Sequence, residues 1–163
     1  VNGIKDLLRA LHGDEERLSR EFVTVADRHR TDHEVHHVAV DLAAWSREHT
    51  RRIADTARAY DLELDPPGAA HTGLLSAVGR KTAEAVGHLP EPALLLLRDL
   101  RDLHLAASGN SLYWEMVAQA GQATRDEALL GLATRCHPQT LRQMRWTNTM
   151  IKTLSPQALA SLR

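Results

Sequence analysis

IKDLLRALHGDEERLSREFVTVADRH, residues 4–29, places its apolar side chains alternately four and three apart: Ile4, Leu8, Leu11, then Leu18, Phe22 and Val25. A helix with one buried face requires that spacing, because 3.6 residues complete a turn and positions three or four apart share a side. One residue breaks the seam, Glu15, midway between Leu11 and Leu18. Burying an acid without a partner costs several kcal/mol, so something else in the fold must answer it.

The same pattern recurs downstream. Residues 32–60 carry Val35, Val38, Leu42, Trp45, His49, Ile53 and Thr56 on one face, and Thr31 with Glu34 reads as a capping box at the start. Only a couple of residues separate these two helices, so they form an antiparallel hairpin. Residues 92–121 show Leu96, Leu100, Leu103, Ala107, Asn110, Trp114 and Val117 on one seam. A second capping box, Thr124 with Glu127, opens a fourth helix over 125–154, with Leu130, Ala133, His137, Leu141, Met144, Asn148 and Ile151 facing inward. Between the hairpins lie residues 61–91, with Pro66, Pro67 and Gly68 and then an amphipathic stretch through Leu74, Leu75, Val78, Ala85, Val86 and Leu89. That length suits a long crossover carrying a short extra helix. The expected fold is therefore all-α, a four-helix bundle in a single domain over residues 1–163.

Composition agrees with one globular domain: 163 residues, 43% hydrophobic, 25% charged and only 4% aromatic. The single cysteine, Cys136, excludes a disulfide framework and a Cys-rich zinc site, and suits a reducing, cytoplasmic setting. No apolar run approaches the roughly 20 residues of a membrane span, and the polar first residues do not resemble a signal peptide. A net charge of −1 gives no reason to expect a nucleic-acid partner. No glycine-rich phosphate loop, HExxH or nucleophile elbow occurs, so no catalytic residue is assigned.

Four polar residues sit where leucines belong, one per seam: Glu15, His49, Asn110 and His137. Pairing each hairpin about its turn sets His49 near the level of Glu15 and His137 near that of Asn110. Two backbone irregularities share that level. Gly109 costs about 1 kcal/mol against alanine in a helix interior. Pro138 either bends a continuous fourth helix or starts a new one, being comfortable in a first turn.

This arrangement resembles the ferritin-like superfamily, which includes rubrerythrins and bacterioferritins. In that family one glutamate comes from each of the first and third helices, and the second and fourth each bring a Glu-x-x-His pair to hold two metal ions. Here Ser46-Arg47-Glu48-His49 puts His49 in place with Ser46 at the glutamate position, and Thr134-Arg135-Cys136-His137 puts His137 in place with Thr134 there. Glu15 matches the first glutamate. The third helix carries Ala107-Ser108-Gly109-Asn110-Ser111 where a carboxylate is needed, and Glu48 and Glu115 lie off the seams. With three of four carboxylates missing, the resemblance implies a divergent member without ferroxidase or diiron oxygenase activity. Ser46, Asn110 and Thr134 are then a polar core layer.

Three functions follow as expectations. The first is a non-catalytic structural, binding or accessory module with no cofactor. The second is a mononuclear iron or manganese protein, since Glu15, His49 and His137 make a 2-His-1-carboxylate set. The third is a small-molecule binder in the bundle core, its opening helped by Gly109 and Pro138 and walled by Trp45 and Trp114. Trp146 is read with them as a core or interface filler. Elsewhere, His29, His33, His36 and His37 cluster at the first turn, where His33 and His37 have metal-clamping spacing but read as solvent-exposed. His12 and His104 read as half-buried bundle residues. Cys136 and His137 point about 100° apart, which keeps thiol and imidazole from meeting. After Glu127 there is no acidic residue, so Arg135, Arg142, Arg145, Lys152 and Arg163 form a basic stretch. A homodimer is the expected partner arrangement.

Overall fold

Glu91 and Pro92 mark where the second half of the chain turns helical, with proline at the first turn where its missing N–H costs nothing. The computed structural model describes residues 2–68 and 91–160. Among them are four long helices, α1 (Asn2–Arg28), α2 (His33–Ala57), α3 (Pro92–Thr124) and α4 (Glu127–Ala160), with a 3-10 turn at Arg58–Tyr60 and no strand. Among the described residues no helix is long and apolar enough to cross a membrane. The short helix expected within 61–91 lies outside the described residues.

The helices close into a bundle in which α1 packs on α2 and α3, and α4 on α3 and α2. Hydrogen bonds between helices fix their directions. Ser19 Oγ donates to the Ala43 carbonyl at 3.1 Å and His36 Nδ1 to that of Ala26 at 2.8 Å, so α1 and α2 are antiparallel. Arg28 and His29 at the end of α1 meet Asp99 at the start of α3. Tyr60, just past α2, bonds to Asp126 in the α3–α4 turn. The end of α2 and the start of α3 are thus at opposite ends of the bundle.

The turns differ from the capping boxes read in sequence. Asp32, one residue later than Thr31, caps α2 by accepting the Val35 N–H at 3.1 Å. At α4 the capping carboxylate is Asp126, which accepts from the N–H groups of Ala128 and Leu129, while Thr124 ends α3. Aspartate wins both positions because a full charge near a helix N-terminus complements the unpaired N–H groups better than a hydroxyl does. Tyr60 donates to the second Asp126 oxygen, and this bond holds the carboxyl below its ordinary range. Arg125 turns the chain with a left-handed φ of 55°, and a side chain at Gly121 would press within 3.0 Å of Leu130.

The seams of α1 and α3 are buried as read, apart from a partly exposed Ile4, and that of α2 is buried or half-buried throughout. That of α4 is not. Its inward face is Leu129, Leu132, Ala133, Cys136, Thr140, Gln143, Thr147 and Met150, mostly one residue before the positions expected. Hydropathy misleads here because the true face carries Thr140, Gln143 and Thr147, whose neighbours Leu141 and Met144 look more core-like. Gln143 and Thr147 find acceptors inside: Gln143 Nε2 donates to the Leu42 carbonyl at 3.0 Å and Ser46 Oγ at 2.9 Å, and Thr147 donates to its own helix at Gln143 and Met144. Helix α4 is continuous through Pro138, whose ring is exposed, as is Thr134, whose carbonyl the proline leaves without a donor.

The α2 cap gives a direct check. In urea titrations Asp32→Ala is expected to lower the unfolding free energy by about 1 kcal/mol, and Thr31→Ala to stay within about 0.5 kcal/mol of the parent. Equal losses from both would contradict this cap.

Candidate functional site: a polar layer between two apolar clusters

Apolar burial is split in two. One cluster holds Leu18, Phe22, Val35, Leu42, Leu100, Leu103 and Met150. The other holds Leu8, Leu11, Ile53, Trp114, Val117, Leu129 and Cys136. Each helix contributes to both, and on each the residues between the clusters are polar and buried: Glu15 on α1, Ser46, His49 and Thr50 on α2, Asn110 and Ser111 on α3, Thr140 and Gln143 on α4.

Glu15 and His49, both fully buried, face one another with Oε1 and Nδ1 3.3 Å apart, out of line for a hydrogen bond. Trp114 Nε1–H donates to Glu15 Oε1 at 2.9 Å. The His49 and Trp114 rings meet edge to face at 5.7 Å. On its other side His49 Nε2–H donates to Gln139 Oε1 at 2.8 Å. Five buried atoms of the layer have no hydrogen-bond partner: Glu15 Oε2, His49 Nδ1, Asn110 Nδ2, Thr140 Oγ1 and Gln143 Oε1. Unanswered polar atoms at this depth cost about 1–3 kcal/mol each.

Glu15, Ser46, His49 and Asn110 lie buried in the layer. His137 and Thr134 do not. Thr134 is exposed, and His137 is half-buried on the flank of α4, sharing a 2.8 Å hydrogen bond with Ser111 Oγ. The cause is the one-residue shift of the α4 face, which gives the inward place to Cys136. Among the described residues no three His, Cys, Asp or Glu side chains are grouped to hold a metal ion. Glu15, His49 and His137 therefore do not form a ligand set here. A pair of divalent cations also needs bridging carboxylates, and the layer has one. Glu115 is exposed, and the partly exposed Glu48 carboxylate faces Arg51 and Arg52, with the Arg51 hydrogen bond holding its carboxyl below the ordinary range. The residues present do not fit a dimetal centre.

The turn histidines also separate. His29 is buried against Asp99 at 2.7 Å, and Arg28 adds two 2.8 Å bonds to the same carboxylate. His36 donates to the Ala26 carbonyl, while the exposed His33 and His37 stack with ring centres 6.4 Å apart. His12 donates to the Asp65 carbonyl at 2.8 Å and His104 to that of Met144 at 3.1 Å. Sequence reasoning missed the Arg28–His29–Asp99 cluster; its available signal was an acid beside the leucine seam at Leu96 and Leu100.

The chain matches no protein-family model, no curated protein and no solved structure.

Cys136 is 1% exposed, and burial, followed by the nearby Glu15 charge, pushes its thiol up to about 12. A thiol-specific disulfide reagent at mildly alkaline pH is expected to leave the folded chain unmodified and to titrate one thiol per chain in denaturant. Rapid reaction of the folded chain would mean that this part of the bundle is open.

Proposed function

We propose that the chain is a divergent ferritin-like bundle in which a metal-free polar layer stands where the dimetal centre would be, and that it acts as a non-catalytic structural, binding or accessory module. One observation carries the reading. Glu15 is the layer's only carboxylate among the described residues, and its Oε1 is committed to the Trp114 indole. The family's other ligand positions here carry Ser46, bonded to Gln143, and neutral or outward-facing side chains. The placing of the end of α2 and the start of α3 at opposite ends of the bundle supports the ferritin-like part. A second reading, a small polar molecule held in the layer, is favoured by the five buried atoms without partners.

Elemental analysis of untagged protein grown with added iron and manganese tests the proposal, using a Glu15→Gln/His49→Ala double variant as reference. The expected result is no metal specific to the layer, so that any trace from the exposed histidines survives in the variant. One or two metal ions per chain, lost in the variant, would overturn the proposal. Native mass spectrometry of the same samples decides the second reading, which requires a constant small-molecule mass increment on the parent.

A further inference from the structure

Helix α3 carries two seams. The inner one runs Leu96, Leu100, Leu103, Ala107, Asn110, Trp114, Val117 and Gly121, all buried. Two residues further on, hence about 200° around the helix, runs a second with the same alternation of four and three: Arg98, Asp102, Leu105, Gly109, Leu112, Met116, Gln119 and Ala123, all exposed. Its middle is apolar. Leu105 is 54% exposed, Leu112 63% and Met116 51%, three of the seven large hydrophobic side chains exposed among the described residues. Scattered exposed leucines need no explanation, but a heptad-spaced row on one helix back does. Gly109 sits inside that row, and a Cβ built there would meet nothing within 4 Å. Its lack of a side chain therefore serves no contact among the described residues, although glycine is the worst ordinary residue for a helix interior.

We propose that this outer face of α3 is a self-association surface, occupied by α3 of a second copy packed antiparallel about a two-fold axis between Gly109 and Leu112. In that register Leu112 of each copy enters the notch left by Gly109 of the other, and Leu105 meets Met116. The large side chain and its notch lie three residues apart on one stripe, so the surface is complementary to itself, as an isologous interface requires. Charge selects the direction. Antiparallel packing sets Asp102 against Gln119 and Arg98 against Ala123, and brings the Arg101 end of each helix toward the Glu115 end of the other. Parallel packing would stack Asp102 on Asp102, Arg98 on Arg98 and Gly109 on Gly109, with like charges opposed and a gap at the centre.

The test is the mass of the full 163-residue chain by sedimentation equilibrium at increasing concentration. The expected mass is twice 18.1 kDa. Leu112→Glu should return it to 18.1 kDa with the helical circular dichroism unchanged. Gly109→Leu fills only open space in the single chain, so it should leave the helical signal intact or firmer while weakening association by about tenfold or more. If Leu112→Glu fails to fold, Gly109→Leu together with Leu105→Lys decides. A chain of single mass at every concentration overturns the proposal and leaves the face to another partner. A dimer indifferent to the substitutions at 109, 112 and 105 also overturns it, by placing the interface elsewhere.

Discussion

The Glu15 carboxylate is shut away from water and held at Oε1 by the indole N–H of Trp114, with the His49 ring 3.3 Å away. These two contacts impose conditions on three helices together. A slide of α3 by one turn would carry Trp114 past the carboxylate, and a slide of α2 would carry off His49. Either movement would leave an acid in apolar surroundings, at a cost of several kcal/mol. His49 passes the condition to the fourth helix through Gln139, and Ser46 repeats it one turn away through Gln143.

Hydrophobic burial could not impose such a condition alone. Both apolar clusters are built mainly from leucine, valine and alanine on four parallel or antiparallel seams, and such seams tolerate displacement by a heptad with modest loss. The polar layer divides the clusters and gives the bundle one register in which Gln143 meets Ser46, His49 meets Gln139 and Glu15 meets Trp114 together. Specificity gained this way carries a thermodynamic cost, visible in the five layer atoms that have no partner. The ends of the bundle are tied in the same polar manner, by Asp99 with Arg28 and His29 at one end and by Tyr60 with Asp126 at the other.

Much of this was legible in the chain. The three helices whose inward residues are chiefly apolar could be placed by spacing alone, and Glu15, His49 and Asn110 stood out because each interrupts an otherwise apolar row. Helix α4 was misread for the complementary reason. Its core face is written in threonine and glutamine: carbonyls of α2 and of α4 itself, with Ser46, receive Gln143 Nε2 and the Thr147 hydroxyl, while Thr140 Oγ1 is among the buried atoms without a partner. No local pattern announces a partner on another helix. The error moved His137 and Thr134 out of the candidate site and put Cys136, Thr140 and Gln143 beside it. Asp99 was invisible for a similar reason, since its partners lie about 70 residues earlier. The caps were missed by one or two residues, where adjacent threonine and aspartate compete for one role.

The most direct test of the layer's role is a double-mutant cycle in urea between Glu15→Met and Trp114→Phe, which removes the carboxylate and the indole N–H, the volume lost with the indole entering both arms of the cycle and cancelling in the coupling energy. If the bond between them holds the helices in register, the coupling energy is expected to be about 1 kcal/mol or more. Single losses that simply add would contradict the account and leave the register to the apolar clusters.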